Sequence, residues 1–121
     1  MSPIILIIDD EQIITRALSR AFLREGFQVI TACDGQEGLQ KIKEQNPALI
    51  LLDIIMPKLS GLELLELIRQ SQIMTPVILM TAYGDAQTEA RAKELGVSAY
   101  LTKPFNNIDD VLSTAKKCLS R

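Results

Sequence analysis

The sequence predicts an α/β fold, a five-stranded parallel sheet with helices on both faces. Three observations carry this. Short apolar runs recur five times, and the strongest of them lack polar alternation, which suits strands covered on both sides. Amphipathic stretches with a 3.6-residue rhythm lie between them. Strands that alternate with helices through right-handed crossovers form a parallel sheet. The chain has 121 residues, the size of one domain, and 47% of them are apolar, enough for a core without disulfide support.

Each element has its own signal. Ile4–Ile8 (IILII) is a continuous β-branched and leucine run, the first strand. A helix over 11–25 follows, because Ile14, Leu18 and Phe22 recur every four residues beside Ala17 and Ala21, and Gly26 stops it. Gln28–Ala32 is a weaker run, a strand nearer the sheet edge. Gly35–Gln45 has a thinner stripe through Leu39 and Ile42, and Pro47 ends it. Residues 49–52 and 77–80 are apolar throughout and predict two central strands. Between them, Leu62, Leu65 and Ile68 mark the third helix. The fourth helix, 86–95, is alanine-rich and weakly amphipathic, so it should be the least firmly packed, with Gly96 as its cap. Residues 99–101 form a short fifth strand, and Ile108, Val111, Leu112, Ala115 and Leu119 carry the last helix. For this order the flavodoxin-like arrangement 2-1-3-4-5 puts the strand reversal between strands one and three. Ligands of such folds sit beyond the carboxyl ends of those strands. The positions just after Ile8 and Leu52 therefore mark the site.

Composition removes several chemistries. There is no histidine, which excludes Ser-His-Asp and Cys-His catalysis, imidazole zinc sites and a histidine phosphocarrier. A net charge of −2 argues against direct nucleic-acid binding, which needs a basic face. Cys33 and Cys118 lack CxxC spacing and read as reduced, which favours a cytoplasmic home. Apolar runs of about five residues are too short for a bilayer, so no membrane partner is expected. Met1-Ser2-Pro3 shows no export pattern. Neither GxGxxG nor GxxxxGK[ST] occurs.

At the expected site stand Asp9, Asp10 and Glu11 after the first strand and Asp53 after the third. Helix capping is an alternative account of Asp10 and Glu11. It explains Asp53 poorly, since Ile54, Ile55, Met56 and Pro57 follow it in place of a helix start. Two carboxylates about 5 Å apart at an effective dielectric of ~20 repel by roughly 3 kcal/mol. Either a carboxyl stays protonated or a cation binds, and Mg²⁺ is the natural oxygen-ligated ion. Thr81 and Lys103 end strands four and five on the same rim. Alone, Thr81 reads as a turn residue and Lys103 as a solvated lysine. Together with the acids they supply metal ligands, a carboxylate nucleophile, a hydroxyl and an ammonium. That set suits phosphoryl transfer to an aspartate, with Mg²⁺, Lys103 and Thr81 each covering one equatorial oxygen. Three other readings stay open at this point: an Mg²⁺-dependent phosphatase or phosphotransferase for a small substrate, an interaction module with a purely structural acidic pocket, and, more distantly, a flavin carrier.

The strings IILIIDDE, LILLDIIMPKLSGLELL, VILMTAYGD and GVSAYLTKPF resemble the receiver domain of bacterial two-component response regulators over nearly the whole chain. The resemblance implies one receiver domain over 1–121. It implies that Asp53 accepts a phosphoryl group from a sensor histidine kinase or histidine phosphotransfer protein. It implies Mg²⁺ on Asp9, Asp10, Asp53 and the carbonyl of Ile55, phosphoryl contacts from Thr81 and Lys103, and a coupled switch of Thr81 and Tyr100. The readout surface is then the fourth helix, fifth strand and fifth helix, facing an effector domain or protein. The fourth helix moves with the 81–85 loop, where Gly84 allows backbone change. The kinase faces the first helix and the loop after strand five. Lys103-Pro104 is expected as a cis peptide. Ile55 and Tyr83 occupy the positions that tune dephosphorylation. Both are bulky, so a phosphoryl lifetime of minutes or more is expected. Val97, Ser98 and Ala99 stand where dimeric winged-helix regulators often carry an Asp-Asp pair, so their dimer is not expected.

Overall fold

The computed structural model describes residues 2–82, 84–103, 105 and 107–120. Its elements follow in the expected order: β1 (Ile4–Ile8), α1 (Gln12–Arg24), β2 (Gln28–Ala32), α2 (Gly35–Gln45), β3 (Leu49–Asp53), α3 (Gly61–Gln70), β4 (Val77–Thr81), α4 (Ala86–Glu94), β5 (Ala99–Thr102) and α5 (Ile108–Leu119). All pairings are parallel and the sheet order is β2-β1-β3-β4-β5. The reversal lies between β1 and β3, as the alternation of runs predicted.

Successive strand side chains point to opposite faces, so each strand feeds two cores. Ile5, Ile7, Leu49, Leu51, Ile78 and Met80 meet Leu18 and Phe22 of α1 and Val111, Ala115 and Cys118 of α5. Leu6, Ile8, Ile50, Leu52, Val77 and Leu79 meet Ile42 of α2, Leu64, Leu65 and Ile68 of α3, and Ala92 of α4. Every residue of β3 and β4 is buried, whereas β2 and β5 at the edges are only partly so. This is why the central strands read as unbroken apolar runs and the edge strands as weaker ones.

Three strands run one residue beyond their apolar runs, ending on Asp53, Thr81 and Thr102. Hydrophobicity alone stops short of a polar residue that still belongs to the ladder. The first helix is shorter than the expected 11–25, because Glu11 keeps extended backbone angles (φ −90°, ψ 104°) and Glu25 is the C-cap. Gly26 and Gly96 follow α1 and α4 at φ +92° and +75°, where the sequence placed stop signals. Asp34, Ser60, Asp85 and Asn107 cap α2, α3, α4 and α5 by accepting a backbone N–H, and among the described residues only α1 begins without a side-chain cap. Cys33 and Cys118 are free thiols, one exposed and one buried. Among the described residues, no helix is long and apolar enough to cross a membrane.

Candidate functional site

The carboxyl ends of β1, β3, β4 and β5 meet in an open cleft of about 240 Å³ lined by Asp10, Glu11, Asp53, Ile55, Ala82 and Lys103. Asp9 and Asp53 are buried at 2% and 5% exposure, while Asp10 is exposed. One oxygen from each of these three carboxylates lies within 4.8 Å of the others. The fold thus brings together the three acids that the sequence placed 44 positions apart at most. Thr81 is fully buried at the end of β4. Its carbonyl accepts from Lys103 N–H at 2.7 Å, which ties the two strand ends together.

Backbone hydrogen bonds fix the frame around these groups. Asp9 N–H donates to Ala32 O at 3.1 Å, and Asp9 Oδ1 accepts from Glu11 N–H at 2.9 Å. Beyond Asp53, Ile54 N–H donates to Met80 O at 3.1 Å, and Gly61 N–H returns to Ile54 O at 2.8 Å. A Cβ at Gly61 would overlap the Asp53 carbonyl, so only glycine lets α3 begin this close to β3. Ser60 and Glu63 then close a capping box on α3, with bonds of 3.2 and 3.1 Å. Lys58, at φ +70°, pairs with Asp34 at 3.6 Å and braces the same loop against α2.

The Lys103 ammonium sits among the acids. It donates to Asp9 Oδ2 at 2.8 Å and to Glu11 Oε1 at 2.9 Å, and lies 3.5 Å from Asp53 Oδ2. Burial works against its charge, but the hydrogen bonds to Asp9 and Glu11 and the charges of Asp9 and Asp53 outweigh that and raise its pKa. For Asp53 the balance is reversed. Burial first, then the charge of Asp9, pushes its pKa up to about 6, and Lys103 offsets only part of this. The repulsion expected from the sequence is therefore present, and one ammonium does not cancel it. The donor set fits a hard divalent cation: oxygen ligands only, converging, with excess negative charge.

Tyr100 lies on β5 against the α4 side of the core, and its hydroxyl is buried without a hydrogen-bond partner among the described residues. A Cβ at Gly84 would stand 2.8 Å from that hydroxyl. Ile55 follows β3 with its side chain 59% exposed beside the cleft. Tyr83 and Pro104, the second dephosphorylation position and the expected cis-proline, lie outside the described residues. Capping does not describe Glu11: it stands at the N-cap of α1, but its side chain makes no capping bond and reaches Lys103 instead. Sequence reasoning also passed over Gly61, whose only signal is its place in LSGLELL, and the Lys58–Asp34 brace, which joins residues far apart in the chain.

Known proteins resemble this chain in sequence and fold. The family profile of the Response regulator receiver domain matches residues 5–116. The alkaline phosphatase synthesis transcriptional regulatory protein PhoP of Bacillus subtilis (strain 168) is 41% identical over 106 residues, which cover 88% of this chain and 44% of that protein. Regulatory protein AtoC of Escherichia coli (strain K12) is 40% identical over 102 residues, 84% of this chain and 22% of that protein. The chain thus spans less than half the length of either relative. The crystal structure of a response regulator receiver domain protein (CheY-like) from Methanospirillum hungatei JF-1 superposes with a TM-score of 0.94 at 32% identity, over 99% of this chain and 95% of that one. Of the readings the sequence left open, a metabolic phosphatase and a flavin carrier find no support in these relatives. Agreement of profile, relatives and fold along almost the full length means that this chain belongs to the response regulator receiver domain family, a phosphoacceptor module of two-component signalling.

Proposed function

We propose that residues 1–121 act as one receiver domain in which Asp53 accepts a phosphoryl group from a phosphohistidine donor, either a sensor histidine kinase or a histidine phosphotransfer protein. The observation that carries this reading is the buried Asp53 carboxylate held between Asp9 and Lys103 at the mouth of an open cleft. An Asp53 oxygen forms the new P–O bond as the P–N bond breaks, and the bonding pair returns to the donor imidazole. Asp9, Asp10, Asp53 and the Ile55 carbonyl hold Mg²⁺, which supplies charge neutralisation at the phosphoryl oxygens. Lys103 and the Thr81 hydroxyl take the remaining oxygens, so the chain supports its own phosphorylation and slow dephosphorylation through positioned charge.

Acyl phosphate formation offers Thr81 and Lys103 new acceptor oxygens, and only such differential contacts shift a conformational equilibrium. Thr81 and Tyr100 form the coupled switch, and the surface of α4, β5 and α5 passes the change to an effector domain or protein. The donor faces α1 and the loop after β5. Ile13, 84% exposed on the first turn of α1, suits that contact. The setting is the cytoplasm, with neither nucleic acid nor membrane as a direct partner. Incubation with a small acyl phosphate and Mg²⁺, read by intact mass, tests the assignment. The wild type gains one phosphoryl group and keeps it for minutes, and Asp53→Asn gains none. A phosphorylated Asp53→Asn protein removes Asp53 as the acceptor. Complete loss of the group from wild type within seconds overturns the slow dephosphorylation.

A further inference from the structure

Lys103 is engaged elsewhere before any phosphoryl group arrives. Its ammonium has three N–H bonds, and the two short contacts go to Asp9 at 2.8 Å and Glu11 at 2.9 Å, with Asp53 farther off at 3.5 Å. Glu11 differs from the other two acids. Its side chain is 56% exposed, against 0% for Asp9 and 6% for Asp53. The backbone beneath it is fixed: its N–H donates to Asp9 Oδ1 at 2.9 Å, and its carbonyl accepts from Thr15 N–H at 3.1 Å and Thr15 Oγ1 at 3.2 Å. At the N-cap of α1 its side chain is free of capping duty, unlike those at the starts of the other four helices.

The geometry points to Glu11 as a positioning residue that holds the Lys103 ammonium toward the solvent side of the cleft and competes for it with the phosphoryl group on Asp53. This inference rests on the assignment of Asp53 as acceptor and Lys103 as its phosphoryl partner. A contact made in one state and loosened in the other shifts the balance by what it contributed. Glu11 thereby weakens the hold on the phosphorylated state, and a chain with a neutral residue here keeps its phosphoryl group more tightly. With one partner exposed, the pair is worth about a two- to five-fold change in an equilibrium.

A double-mutant cycle tests this with beryllofluoride as the phosphoryl mimic at saturating Mg²⁺, comparing wild type, Glu11→Gln, Lys103→Met and the double variant. The expected result is tighter binding by Glu11→Gln, about two- to five-fold, in the presence of Lys103 and no gain in the Lys103→Met background. A second readout is the ¹⁵Nζ resonance of Lys103 in the Mg²⁺-free protein, which shifts in Glu11→Gln if the contact is made and stays in place if Glu11 has only a structural role. An equal gain in both backgrounds assigns the effect to general charge relief and overturns the proposal, as does unchanged or weaker binding by Glu11→Gln. Wild type that fails to bind the mimic overturns the acceptor assignment together with this inference. Wild-type binding without coupling removes Glu11 alone.

Discussion

Helices α3 and α4 both start beside the cleft and pack on the same face of the sheet, yet they are seated very differently. The first follows β3, is closed by the Ser60/Glu63 capping box and buries Gly61, Leu64, Leu65 and Ile68. The second follows the strand that ends in Thr81, is capped by Asp85 alone and buries only Ala92. Burying three large aliphatic side chains stabilises by about 5–9 kcal/mol as an upper figure, whereas a single methyl gives roughly 0.8 kcal/mol. Moreover, the ties of α4 cluster at its C-terminal half. Arg91 pairs with Glu66 at 3.5 Å, and Arg69 donates to Leu95 O at 2.8 Å and Gly96 O at 3.3 Å. The N-terminal half, nearest Thr81, has no buried residue. The β3 side is thus a rigid seat and the α4 side a lever held at its far end, which is where a modest difference in contacts can act.

The largest expected effect contrasts two glycines. Gly61→Ala drives a methyl into the Asp53 carbonyl, a backbone atom fixed by β3, and overpacking of this kind costs about 3 kcal/mol. Gly84→Ala meets the Tyr100 hydroxyl at the far end of a side chain that can yield, so the expected loss is about 1 kcal/mol or less. Chemical denaturation of the two variants gives both numbers. Equal losses would show that the two sides of the cleft are equally rigid and dissolve the contrast.

Next in size is the Arg69 anchor. Its guanidinium also donates to Ile73 O at 2.7 Å and Thr75 O at 3.1 Å, so one side chain binds four carbonyls at the base of α3 and α4. Arg69→Met keeps the apolar stem and removes every donor. Expected is a loss of about 1–3 kcal/mol, with hydrogen exchange accelerated in α4 well beyond any change in α3. Equal acceleration in both helices would mean that Arg69 supports the domain as a whole and not α4 in particular.

Much of this was legible in the chain beforehand, and the rest was hidden for identifiable reasons. An unbroken apolar run gave Ile4–Ile8 its correct bounds, a weaker run gave Gln28–Ala32, and the 3.6-residue rhythm did the same for Ile108–Leu119. The gathering of Asp9, Asp10, Asp53 and Lys103 followed from a topological rule, since each ends or follows an apolar run and parallel strands bring such ends together. The Glu11–Lys103 pair did not follow, because 92 residues separate them and an acid at a helix start already has a local explanation. Arg69 was illegible for a related reason. An arginine in the last turn of an amphipathic helix ordinarily faces water, and its four carbonyl partners are backbone atoms, which leave no mark in the sequence. Gly61 could have been noticed, but a close approach of two backbones is a property of the assembled fold.

A last expected effect concerns pH, and it separates Asp53 from the acids that cap helices or brace their starts. Before metal binds, the Asp53 carboxyl titrates at about 6, against an ordinary value of 3.8. Below pH 4 it carries its proton in the folded and unfolded states alike. Between pH 4 and pH 6 the folded state keeps a proton that the unfolded state has released, so stability falls as pH rises and levels off beyond 6. The loss is at most about 3 kcal/mol. Lys103 adds no slope here, because its raised pKa leaves it charged across this window. Asp34, Glu37 and Asp85 act in the opposite sense and at lower pH, since backbone N–H bonds hold their carboxyls below the ordinary 3.8 to 4.5. Urea unfolding from pH 4.5 to 7 should therefore show a decline in wild type that Asp53→Asn lacks, and Mg²⁺ should restore the lost stability at pH 7 in wild type only. A decline of the same size in Asp53→Asn would place the strain on the α4 side or elsewhere, and the rigid seat at β3 would no longer be where the charge repulsion is stored.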